Sequence, residues 1–145
     1  MTPNAFQLLL ATLAMVVLSF LVGARMLYCR VQEMRHKRLH PQKAATTQTM
    51  AGCLENVGAA DNFRNLFETP VLFYALVACA IGVSYVPLWL AVGGWCYVVL
   101  RVVHTLIHCT YNRVMHRLAV FTLSFVLLVA LWIAYVIALS NKGVL

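Results

Sequence analysis

Three groups of residues in this chain could do chemistry, and all lie in or beside stretches too apolar for ordinary contact with water. Tyr97, Arg101, His104 and His108 recur at helical spacing, and at 100° per residue they share an arc of about 60°. Asp61, Arg64, Asn65 and Glu68 share an arc of about 100° by the same arithmetic. Arg113, His116 and Arg117 form a basic cluster close behind the first group. Ionisable groups at membrane depth are costly and mark functional positions. A polar stripe so narrow must face other helices or a polar cavity, because lipid cannot satisfy it. His104 and His108 have the spacing at which two imidazoles share a metal. Zinc or haem needs further ligands, however, and no other apolar run contains a His, so the expected role is hydrogen bonding in a polar pocket. Arg113 and Arg117 have two readings: snorkelling to lipid phosphates, or a cationic mouth above the buried stripe, suited to an anionic ligand.

The elements that must carry these groups are membrane spans. Of the 145 residues, 63% are hydrophobic and 10% charged, and the mean hydropathy is +0.84. Ordinary soluble domains are about 25% charged, so lipid is the expected solvent for most of this surface. Residues 5–24 carry no charge and would form a helix of about 30 Å, the thickness of the hydrocarbon core. The run resembles a signal peptide with a Val22-Gly23-Ala24 cleavage site. But no Lys or Arg precedes it and several follow at once, which is the charge order of a retained span with its N-terminus outside. A second uncharged stretch covers residues 69–100. As one helix it would be about 48 Å long, too long for one crossing. Ser84-Tyr85-Val86-Pro87 divides it, with Pro87 suited to a first helical turn. The expected spans are 5–25, 61–85, 87–111 and 118–139, with a polar connection at 26–60 that Pro41 and the 46–49 tract make partly irregular.

That division draws polar residues into the membrane. Each central span must recruit its polar flank to cross, so Glu68 and Arg101 lie about 10 Å in from the same end of antiparallel neighbours. The matching depths predict a Glu68–Arg101 ion pair, which could serve only to hold the bundle in register. Pro70 should kink the second span, because it cannot donate to the Leu66 carbonyl.

The formal charge of +7 could suggest nucleic acid, but ten of the eleven Lys and Arg lie from Arg25 to Arg117, at the ends of apolar runs. That is topology signalling beside an anionic leaflet, and no nucleic-acid partner is expected. It places the 26–60 and 112–117 connections in the cytoplasm and both termini outside. The five cysteines form no CxxC pair, so neither a disulfide framework nor a zinc motif is indicated.

Arg64-Asn65-Leu66-Phe67-Glu68 resembles the Arg-Asn-x-x-Glu motif of the MAPEG family, the membrane-associated proteins of eicosanoid and glutathione metabolism. Arg101-Val102-Val103-His104-Thr105 resembles the Arg-x-x-His-Thr motif of the same family. The two motifs, in order on a four-span chain, extend the resemblance over essentially the whole length. It implies an all-α four-transmembrane-helix bundle assembling as a homotrimer, with glutathione as cosubstrate at the cytoplasmic end. By that resemblance Arg64, Asn65, Glu68, His104, His108 and Arg113 bind glutathione, Arg101 pairs with Glu68, and Arg117 is the catalytic residue that stabilises the thiolate. His108 departs from the tyrosine of the better-known enzymes, and Asp61 from a basic residue. Both departures point towards bacterial-type members, and so to an inner (plasma) membrane. Either Arg25 or Arg30 would serve the site from the first helix.

The resulting expectation is a glutathione-dependent transferase or peroxidase acting on a lipophilic electrophile or hydroperoxide that arrives through the membrane lipid. The rivals are a non-catalytic protein of the same fold that binds a lipid or partner protein, and a metal or haem carrier resting on His104 and His108.

Overall fold

The structure is a computed structural model and describes residues 1–39 and 58–143. Pro41, the 46–49 tract and most of the expected 26–60 connection lie outside the described residues. Among the described residues five helices follow one another: α1 (Pro3–His36), α2 (Gly58–Glu68), α3 (Pro70–Gly82), α4 (Leu88–Cys109) and α5 (Val114–Asn141). Together α2 and α3 make one crossing, so among the described residues four helices are long and apolar enough to span a membrane.

Local sequence sets where each helix starts and stops. Thr2 caps α1 by accepting from the Ala5 N–H at 3.3 Å, with Pro3 in the first turn, where its missing N–H costs nothing. The helix then runs 34 residues, about 51 Å, well past the apolar run that begins it. The break between α2 and α3 falls at Thr69, and Pro70 opens the new helix. This is the kink expected from the missing Pro70 donor. Helix α3 ends in a Schellman closure: the Tyr85 N–H reaches the Ala80 carbonyl at 3.1 Å and the Ser84 N–H reaches Ile81 at 2.9 Å. Ser84 takes the left-handed conformation there, with φ 57°, where glycine is usual. Pro87 serves as N-cap of α4.

Helix α4 is the central element, packed against α5, α1 and α2. Gly93 faces Leu131 of α5, while Gly94 faces Leu8 of α1 and Phe73 of α3. These adjacent glycines let three neighbours approach on two sides, the usual role of small residues between membrane helices. Tyr97 stacks on Phe73 with ring centroids 4.9 Å apart. Phe20, Leu27, Val99, Leu106, Phe125 and Ile133 are exposed, as suits surfaces solvated by acyl chains. Hydroxyls in the spans bond back to their own helix: Thr12 to Leu8 and Ser19 to Met15, both at 3.0 Å, and Ser124 to Phe121 at 2.7 Å. Such bonds satisfy donors that lipid could not.

Candidate functional site

The polar stripe of α4 is buried as its spacing requires. Tyr97 and Arg101 are 0% exposed, His104 1% and His108 3%. Arg101 is the largest fully buried side chain. Its Nη2 donates to the Asn65 carbonyl at 2.8 Å, tying α4 to α2. Its Cζ lies 5.5 Å from the centre of the Phe121 ring of α5, within reach of a cation–π contact. Among the described residues, Nε and Nη1 of Arg101 find no hydrogen-bond partner, nor do the Tyr97 hydroxyl, His104 Nδ1, His108 Nδ1 and Thr105 Oγ1. Buried polar atoms are nearly always bonded, so this column concentrates unmet hydrogen-bonding capacity in the interior of the bundle.

The stripe on α2 behaves differently. Asn62 and Leu66 turn inward and Asn65 is half-buried, while Asp61, Arg64 and Glu68 are exposed. The ion pair expected between Glu68 and Arg101 is therefore not formed within the subunit; among the described residues Lys37 pairs with Glu33 at 3.0 Å. The two residues match in depth but not in azimuth. On a helical wheel Asn62 and Leu66 centre the buried face, and that turns Glu68 away from α4.

A cavity of about 210 Å³ opens at the basic end of the bundle, lined by Asn65, His104, Val114, Arg117, Leu118 and Phe121. Arg117 is held from behind: Nη1 lies 3.2 Å from His108 Nε2 and 3.1 Å from Asn112 Oδ1. A guanidinium has five N–H donors, so three remain after both Nη1 hydrogens are used. Arg113 is the exposed N-cap of α5, and its carbonyl accepts from the Arg117 N–H at 3.0 Å. The helix start and its arginines together make this end of the cavity favourable for an anion.

Of the residues expected at the site, Asn65, His104 and Arg117 meet around the cavity, His108 joins through Arg117, and Arg101 joins through Asn65. Arg64, Glu68 and Arg113 do not line it. Arg25, one of two candidates from the first helix, donates to the Cys109 carbonyl at 2.7 Å and closes the end of α4. Arg30 makes no such contact among the described residues. Sequence reasoning missed Asn112 and Asn62. Asn112 has φ 45°, a conformation Asn tolerates better than most residues. Asn62 is fully buried and donates to Cys109 Sγ at 3.5 Å. An Asn directly before an arginine-flanked helix is a turn signal that could have pointed to the first. The rings of His104 and His108 are T-shaped and 5.7 Å apart, and His108 Nε2 faces the Arg117 cation, a poor setting for a metal ion.

Four membrane-crossing helices around a buried polar column, with a cavity edged by Arg117 at one end, define an all-α, multi-pass membrane protein. The chain belongs to the MAPEG family, whose family model matches residues 8–137. It is thus a membrane protein of the family of glutathione and eicosanoid metabolism. No curated protein and no solved structure matches it.

Proposed function

We propose that the protein is a glutathione-dependent transferase or peroxidase that acts on lipophilic electrophiles or hydroperoxides dissolved in the bilayer. The observation that carries this reading is Arg117: a clamped guanidinium with three spare donors at the edge of the 210 Å³ cavity. Glutathione is an anionic tripeptide, and the residues present fit it. Arg117 suits a carboxylate or thiolate, and the imidazole of His104 also lines the cavity. A free thiol has a pKa near about 8.5, and a neighbouring guanidinium favours the nucleophilic thiolate. In conjugation the thiolate sulfur forms a bond to an electrophilic carbon, and the leaving group departs with its electron pair. The cavity opens towards the charge-rich end of the chain, which we place in the cytoplasm of a bacterial inner membrane with both termini outside.

A homotrimer is part of this reading. Asp61, Arg64 and Glu68 lie exposed on a crossing that runs from Ala60 to Gly82, and acyl chains cannot solvate them. A neighbouring copy can. The test is purified protein mixed with glutathione. A rise in thiolate ultraviolet absorbance with proton release is expected, and Arg117→Ala should abolish it. Absence of glutathione binding by calorimetry would refute the proposal.

One observation favours the non-catalytic alternative. An apolar groove of about 530 Å³ runs along α1 and α2, lined by residues that include Phe20, Gly23, Phe63, Phe67 and Tyr74, a shape suited to an acyl chain. Retained lipid in purified protein together with no glutathione binding would support that reading.

A further inference from the structure

We propose that His108 and Asn112 are positioning residues that clamp Arg117 and aim its free donors at the cavity, and that the clamp holds only while His108 is neutral. Arg117 can only donate, so His108 Nε2 must be the acceptor of their 3.2 Å contact. The proton of a neutral imidazole then resides on Nδ1. Asn112 Oδ1 takes the other Nη1 hydrogen at 3.1 Å. Two acceptors on one nitrogen fix the plane of the guanidinium, leaving Nη2 and Nε free. His108 itself does not line the cavity, so it acts through Arg117 and not by touching the ligand.

A second proton on His108 converts Nε2 from acceptor to donor and sets two cations 3.2 Å apart. The guanidinium must then leave its position. The groups that bear on His108 are Arg117 of α5, Asp61 of α2 and His104 one turn back on α4. From α1, Arg25 reaches the neighbouring Cys109 carbonyl. A tyrosine in place of His108 could also accept from Arg117, but its hydroxyl would not gain a positive charge on acidification as an imidazole does.

The binding arm rests on the glutathione reading; the spectroscopic arm does not. For the first, S-methyl glutathione, which has no titrating thiol, is measured calorimetrically from about pH 8 to pH 5. Wild type should lose about tenfold in affinity towards acid, the scale of one hydrogen bond to a charged group. His108→Gln, which keeps an acceptor but cannot titrate, should bind like wild type at high pH and stay flat. His108→Phe should be weak throughout. Equal pH profiles for wild type and His108→Gln, or wild-type affinity in His108→Phe, would overturn the proposal. For the second arm, nitrogen-15 spectra of histidine-labelled protein in detergent, assigned with His108→Gln, should show neutral His108 protonated on Nδ1. Arg117→Leu should return it to the commoner Nε2 form. A His108 protonated on Nε2 in wild type would refute the clamp whether or not glutathione binds.

Discussion

Replacing Gly93 by Ala tests the packing that sets the distance between α4 and α5. A Cβ at Gly93 would collide with Leu131 Cδ2 and come within 3.2 Å of Cδ1 and 3.4 Å of Cγ. Leu131 is 6% exposed, so the whole isobutyl group must move in a packed setting. Overpacking of this kind costs about 1–3 kcal/mol, and the gain in helix propensity returns at most about 1 kcal/mol. The net expectation is a loss of about 0–2 kcal/mol. Gly82 supplies the control, because a Cβ there meets nothing within 4 Å. Gly82→Ala should be neutral or stabilising by up to about 1 kcal/mol. Leu131→Ala alone should cost about 2–5 kcal/mol through the cavity it leaves. In the double variant the new methyl group enters that cavity, so the two losses should fall short of their sum by about 1 kcal/mol or more. The assay is unfolding of the purified protein in mixed micelles by a denaturing detergent, followed by far-ultraviolet circular dichroism. Strict additivity, or a Gly93→Ala protein more stable than Gly82→Ala, would refute the reasoning.

Ser84→Gly should raise stability by about 1 kcal/mol in the same titration, since φ 57° strains any residue with a Cβ. Tyr135→Phe removes the 3.1 Å bond from its hydroxyl to the Tyr85 carbonyl and should cost about 0.5–1.5 kcal/mol. Pro70→Ala restores a donor at the break between α2 and α3, so spin labels placed near Asp61 and Gly82 should move apart as the crossing straightens. Unchanged label distances would show that tertiary packing, not Pro70, sets the bend.

The four crossings were legible in the sequence because the bilayer imposes a length, and uncharged runs can be measured against it. Pro70 and Pro87 were legible because a missing donor has a local consequence. The azimuth of α2 was not. In a soluble helix a polar stripe faces water, but in a membrane it can face the subunit interior or a neighbouring copy, and periodicity does not distinguish them. Asn62 and Leu66, not Glu68, meet the bundle interior. The clamp on Arg117 was hidden for another reason. It depends on Asn112 adopting a left-handed turn, which brings together residues that no helical repeat relates. Arg25 was legible only as one of two basic residues at the end of the first apolar run, and its bond to the Cys109 carbonyl joins positions that no helical repeat relates.

Helices α1 and α4 run the same way through the membrane and are fastened at both ends. Asn4 Nδ2 holds the Val86 carbonyl at 3.2 Å and Arg25 holds that of Cys109 at 2.7 Å, with a Trp95–Gln7 bond of 3.3 Å between them. Rigid rails joined by rungs resist shear. In a thinner or thicker bilayer this pair must tilt as one frame and not slide, so the mismatch is passed on to α2, α3 and α5. Cutting a terminal rung, by Asn4→Ala or Arg25→Ala, would free the two rails to slip past each other and make the protein's stability depend more steeply on acyl-chain length.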